Sequence, residues 1–141
     1  MNVNLKTAFF LSQAAARSML KLGRGGKIIN IASMLSFQGG IRVVSYTASK
    51  SGIAGMTRIL ANEWAAKGIN VNAIAPGYIA TNNTTALRND ETRNREILGR
   101  IPAGRWGKPE DLGGATVFLA SRASDYMHGT IIPVDGGWLA R

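Results

Sequence analysis

Gly68-Ile69-Asn70-Val71-Asn72-Ala73-Ile74-Ala75-Pro76-Gly77 is the stretch that decides the architecture. Residues 69 to 75 read as a short strand, and Pro76-Gly77 stops it, because proline lacks a ladder N–H and Pro-Gly marks a turn. Upstream, Gly68 closes a helix over about residues 45 to 67, in which Ile53, Met56, Leu60 and Trp64 recur at three- and four-residue spacing. Before that helix, Lys27 to Ala32 reads as a second short strand, rich in Ile and interrupted by Asn30. It follows the turn Arg24-Gly25-Gly26 and a first helix over residues 4 to 22, striped by Leu5, Phe9, Ser12, Ala16, Met19 and Leu22 and stopped by Gly23. Residues 34 to 44 read as a loop that starts just past Ser33.

Downstream of Gly77 the periodicity weakens. Residues 78 to 107 show one helical stretch, around 91 to 98, and read as a lid. Pro109-Glu110-Asp111 suits a helix start, with Leu112, Ala115, Phe118 and Leu119 as the buried side. Thr130 to Val134 is a last strand and Asp135-Gly136-Gly137 turns out of it; Pro133 places that strand at a sheet edge or turns its own nitrogen to solvent. Strands that alternate with helices specify an α/β fold with a parallel sheet and right-handed crossovers.

At 141 residues, with 45% hydrophobic and 18% charged residues, the chain is long enough to bury a core. No apolar stretch is long enough for a membrane span, and residues 1 to 6 lack the basic-then-apolar order of a secretory signal, so a cytoplasmic protein without membrane partners is expected. With no cysteine there is no disulfide, thiol chemistry or cysteine metal site, and no metal is expected. The net charge of +9 raises nucleic-acid binding. The distribution argues against it: Arg17, Lys21, Arg24 and Lys27 surround one helix end and do not interleave with aromatics. Arg88, Arg93, Arg95, Arg100, Arg105 and Lys108 fall in the lid region, where an arginine could grip a carboxylate in two-pronged fashion, although a solvated surface explains most of them. His128, the single histidine, has no neighbours in sequence that complete a triad or metal site and reads as structural.

Ser45-Tyr46-Thr47-Ala48-Ser49-Lys50 carries the chemistry. On a helix Tyr46 and Lys50 share a face, so the ammonium can lie beneath the phenol. A free tyrosine titrates near pKa ~10; a cation at about 4 Å is worth roughly 4 kcal/mol at an effective dielectric near 20, enough to bring a phenol toward working pH. Ser33 offers a hydroxyl that can hold a carbonyl oxygen against the phenol. Tyr-x-x-x-Lys alone is a weak pattern, frequent on exposed helices.

Taken together with their order and spacing, Val3-Asn4-Leu5, Ile29-Asn30-Ile31-Ala32-Ser33, Tyr46-Thr47-Ala48-Ser49-Lys50, Val71-Asn72-Ala73-Ile74-Ala75-Pro76-Gly77 and Val134-Asp135-Gly136-Gly137 resemble the short-chain dehydrogenases/reductases, over essentially the whole chain. Stretches 34–40, 78–84 and 101–107 resemble the members that act on sugar acids. The resemblance implies a doubly wound Rossmann-type sheet and hydride transfer between a nicotinamide cofactor, NAD with NADP not excluded, and a sugar-acid hydroxyl or ketone. It implies Tyr46 as acid/base, Lys50 as the group that tunes it and holds the nicotinamide ribose, and Ser33 as the group that orients the substrate. Asn4 would hold, through its backbone carbonyl, a water that links Lys50 to solvent; it also suits a plain helix cap. Pro76, Gly77, Ile79 and Thr81 match the segment that meets the nicotinamide carboxamide, and a homotetramer is implied.

One part of such a fold is missing from the sequence. A dinucleotide-binding sheet needs a glycine-rich turn between a strand and a helix start, and Gly23, Gly25, Gly26, Gly136 and Gly137 all stand elsewhere. The expectation is therefore the C-terminal catalytic portion of a single domain, without its N-terminal nucleotide-binding half. A strand with an open edge and weak dinucleotide binding follow from that, and a non-catalytic remnant or oligomerisation module is the alternative.

Overall fold

The computed structural model describes residues 2–140 and is built on three parallel strands, β1 (Gly26–Ile31), β2 (Ile69–Pro76) and β3 (Ile131–Val134), in that order across the sheet. Gly26 pairs with Ile69 and Ile31 with Ile74; Ala73 pairs with Ile131 and Pro76 with Val134. The centre strand is β2, buried along its length up to Ala75 and covered on both faces, and the two asparagines that interrupt its apolar residues, Asn70 and Asn72, are buried with it.

Helices α1 (Thr7–Lys21) and α2 (Val44–Trp64) cover one face, where Ala16, Ile53, Met56, Leu60 and Trp64 pack on Ile28, Ile69, Val71, Ala73 and Ala75. Asn30, which breaks the apolar run of β1, lies in this layer: its amide donates to Thr57 Oγ1 at 3.1 Å, and Ser12 Oγ donates to its carbonyl oxygen at 3.4 Å. The chain approaches α1 through a π-helical turn, Asn2–Lys6.

The other face is met by α5 (Gly113–Ala120), entered through a 3-10 turn at Pro109–Leu112. Of its expected buried side only Leu119 is fully covered; Phe118 remains 38% exposed. Asn70 and Asn72 close this face by donating to the carbonyls of the turn after α5, Asn70 to Asp125 O and Met127 O and Asn72 to Met127 O, each at 2.9 Å. His128 lies 3.3 Å from the Asn70 amide and joins this structural network.

Pro133 stands on β3 at the second sheet edge. Ala73 N donates to Thr130 O and Gly77 N to Val134 O, so the even-numbered residues of β3 face β2 and the nitrogen of Pro133 faces away. The lid region holds α3 (Thr85–Asn89) and α4 (Glu91–Arg100) over a second apolar cluster of Met34, Ile97, Ile101 and Trp138. No helix among the described residues is long and apolar enough to cross a membrane.

Candidate active site

Ser33 follows β1 and caps the 3-10 turn Met34–Ser36. Its Oγ accepts from Leu35 N at 3.2 Å, which leaves the hydroxyl proton available to a second oxygen. The side chain is nearly buried, and the backbone around it is stapled to α2: Ser33 N donates to Ser36 Oγ, Ser36 Oγ donates to Lys50 O at 2.7 Å, and Ser51 Oγ to Leu35 O at 3.3 Å. The loop that carries Ser33 is thereby fixed against the turn that carries Lys50. Sequence reading missed Ser36 and Ser51 because a serine in a loop carries no pattern of its own.

Between Ser33 and Tyr46 the chain passes Arg42 at φ 61°, the non-glycine residue with positive φ among the described ones. Tyr46 lies in the first turns of α2, 41% exposed, with its carbonyl held by Ser49 Oγ at 2.7 Å. Lys50 lies on the same face of the helix, its Nζ 5.7 Å from the centroid of the Tyr46 ring. The expected ammonium directly beneath the phenol takes a different form, since Nζ donates to Ile31 O at 2.7 Å. That carbonyl terminates β1, and burial lowers the pKa of Lys50 below the ordinary lysine value. Lys50 and Asn4 line one groove of about 460 Å3 between α1 and β1.

At the carboxyl end of β2 the chain runs through Pro76 and Gly77 to Ile79 and Thr81. Gly77 donates to Val134 O at 2.9 Å, and a Cβ there would come within 2.5 Å of Asp135 Cα, so only glycine allows β2 and β3 to leave the sheet this close together. Ile79 forms a bridge with Gly107, flanked by Ala80 N to Gly107 O at 2.8 Å and Gly107 N to Tyr78 O at 2.9 Å. Thr81 opens the turn Asn82–Thr84, its N–H bonded to Thr84 Oγ1 and its carbonyl to Arg88. Arg105 grips Asp111 with two hydrogen bonds, of 2.7 and 3.1 Å, at a cavity of about 260 Å3 shared with Tyr78 and Ile79. The Arg105 hydrogen bond, then the Lys108 backbone N–H, hold the Asp111 carboxyl down from its usual 3.8 to about 2. Trp106 is a packing residue, its Nε1 bonded to Asn94 Oδ1 at 2.7 Å.

Ser33, Tyr46 and Lys50 therefore lie on one stapled unit, and Pro76 to Thr81 leave the adjacent strand at the same end of the sheet, where open parallel sheets receive ligands. A family model described as enoyl-(acyl carrier protein) reductase, of the short-chain alcohol dehydrogenase type, matches residues 1–139. The chain belongs to the short-chain dehydrogenase/reductase family. It is 71% identical over 141 residues to the 2-dehydro-3-deoxy-D-gluconate 5-dehydrogenase of Dickeya dadantii, covering all of this chain and 56% of that relative. A structure from Agrobacterium tumefaciens with bound NADP superposes at a TM-score of 0.98 with 70% identity, covering 100% of this chain and 57% of that one. The gluconate 5-dehydrogenase of Burkholderia cenocepacia, in complex with NADP and tartrate, gives 0.97 with 41% identity, covering 100% and 55%. The chain thus spans a little over half the length of these proteins. Their folds are the Rossmann-type sheet expected from the sequence.

Proposed function

We propose that this chain is the catalytic portion of a nicotinamide-dependent sugar-acid dehydrogenase, and that Tyr46 moves the proton. The observation that carries the reading is the stapled unit itself: Ser36 and Ser51 bind the Ser33 loop to the helix turn from which Lys50 and Tyr46 project.

The chain fits one end of such a cofactor. Its Pro76–Thr81 segment offers a strand end with a turn for the nicotinamide, while no glycine-rich strand-to-helix turn stands among the described residues to receive the pyrophosphate. When bound, the nicotinamide ring supplies or accepts the hydride. Ser33 donates its hydroxyl proton to the substrate oxygen and holds it beside Tyr46. Tyr46 gives its phenolic proton to that oxygen during reduction, or takes one during oxidation, and Lys50 supplies the positive charge that favours the phenolate. Lys50 would also hold the ribose hydroxyls, and Asn4, which lines the same groove, would complete the path to solvent. NADP is favoured over NAD because two similar structures hold NADP. A sugar acid is favoured because of the relatives' activities and because one similar structure is in complex with tartrate, a hydroxy acid. A homotetramer in the cytoplasm remains part of this proposal.

Tyr46→Phe, placed in an enzyme of full family length carrying this sequence, is expected to lower kcat by about 10²- to 10⁴-fold with circular dichroism and cofactor binding unchanged. Undiminished turnover would remove Tyr46 from the reaction and favour the non-catalytic remnant.

A further inference from the structure

Five arginines fall in the lid region, and four of them are explained without a ligand. Arg88 donates to Thr81 O and Thr85 Oγ1, Arg93 meets Glu96 at 3.4 Å, and Arg105 grips Asp111. Arg95 is a solvated surface residue with no polar partner among the described ones. Arg100 is placed differently. It ends α4, and its Nη2 donates to Gln38 Oε1 at 3.4 Å, so it reaches the loop that carries Ser33. Its guanidinium carbon lies 4.0 Å from the centroid of the Trp138 ring. Trp138 is buried, and its Nε1 has no hydrogen-bond partner among the described residues, so the indole serves through its ring: Tyr78 packs on it at 4.7 Å and Arg100 lies over it. A cation over an aromatic face is held in place without using its N–H donors.

The reacting groups are close by. Ser36 N donates to Ser33 O at 2.9 Å and Gln38 N to Met34 O at 3.2 Å, so Ser33 to Gln38 is wound into little more than one turn. Gln38 therefore lies about one helical turn, ~5 Å of rise, beyond Ser33, with Arg100 next to it. Met34, the neighbour of Ser33, packs in the same cluster as Trp138. Building on the sugar-acid reading above, we propose that Arg100 recognises the substrate's carboxylate, at a point several carbons away from the oxygen that Ser33 and Tyr46 hold. A guanidinium matches a carboxylate with two parallel N–H bonds. The Gln38 contact is long for a hydrogen bond and goes to a neutral amide, so a carboxylate is the stronger acceptor there. Substrates are thereby sorted by charge: an acid is held at both ends, a neutral sugar at one. Because Arg100 ends the lid helix, the acid group also ties α4 to the Ser33 loop.

The test uses an enzyme of full family length carrying this sequence, loaded with NADPH, and measures by calorimetry the binding of gluconate and of gluconamide, its neutral counterpart of equal length. Gluconate and NADPH are both on the reduced side of the reaction, so binding is read without turnover, and the outcome does not depend on the role of Tyr46. The unsubstituted enzyme should prefer gluconate by about thirtyfold, the worth of charge-assisted hydrogen bonds. Arg100→Met should bind the two compounds alike. Arg100→Lys, which keeps the charge without the fork, should retain a preference of about threefold, and Arg95→Met should retain all of it. If Arg100→Met does not fold, Arg100→Lys decides alone. An undiminished preference in either Arg100 variant, or an equal loss in Arg95→Met, overturns Arg100 as the carboxylate site. Equal binding of gluconate and gluconamide by the unsubstituted enzyme overturns the sugar-acid reading itself, and this inference with it.

Discussion

Ser36 bears more of the proposed chemistry than its place in a loop suggests. Its hydroxyl accepts from Ser33 N and donates to Lys50 O, so one side chain ties the residue that would orient substrate to the helix turn that would activate Tyr46. Ser36→Ala deletes both bonds without adding bulk. A partly buried hydrogen bond of this kind is worth about 1 kcal/mol net, so the urea midpoint should fall modestly. The larger expected effect is on geometry: in a full-length enzyme kcat should drop about tenfold with KM for the cofactor unchanged, because displacements near 1 Å at reacting groups are costly. A loss of stability with kcat intact would show that Ser33 is positioned by something else. The placement of Ser33 at a strand end and of Tyr46 and Lys50 at a helix start was legible in the sequence, because the strand and helix patterns on either side of them are clear. The staples were not, since Ser36 and Ser51 are defined only by what the fold brings near them.

The elements themselves were read to within a residue or two wherever burial is two-sided or strongly striped. β2 is the clearest case, because Pro76-Gly77 ends it sharply and its odd-numbered apolar residues all reach the core, and α2 follows because Ile53, Met56, Leu60 and Trp64 do the same. Where one contact suffices, periodicity misleads: α5 buries Leu119 and leaves Phe118 half open, and five-residue α3 is too short to show a stripe. The lid packs on the apolar cluster of Met34, Ile97, Ile101 and Trp138, and a charge pair at its end adds a contact that no hydrophobic pattern reports. Arg105, at the end of the lid, grips Asp111 in the following turn, and the Asp111 carboxyl, lowered to about 2 by the Arg105 hydrogen bond, binds its proton less readily in the closed pair than in an open one. Its contribution is therefore present above the ordinary carboxyl value and is lost as pH falls from about 4 toward 2. Trp106, next in sequence to Arg105 and packed against Asn94, should report that loosening by fluorescence. The acid transition should disappear in Asp111→Asn, whose lid should already be loosened at neutral pH, and an identical acid titration in both proteins would place the control elsewhere.

At the scale of the whole molecule, the proposed function gives the sheet one end of a dinucleotide site. The three strands leave Pro76–Thr81 and Lys50 where a nicotinamide and its ribose would lie, but the pyrophosphate of a dinucleotide is gripped by N–H groups at a helix start behind a glycine-rich turn. No such turn stands among the described residues, and the free cations of the surface cannot replace it, since exposed charges gain little in water. The 141-residue chain alone should therefore bind NADPH only in the millimolar range, about 4 kcal/mol of binding energy, read by nicotinamide fluorescence at low ionic strength. The same measurement on the chain joined to the unmatched portion of a relative should reach micromolar affinity, about 8 kcal/mol. The difference is too large for added contacts at the nicotinamide end and assigns the phosphates to the other half. Micromolar binding by the chain alone would mean that Lys50 and the strand ends suffice to hold the dinucleotide, and the division of labour between the two halves would have to be redrawn.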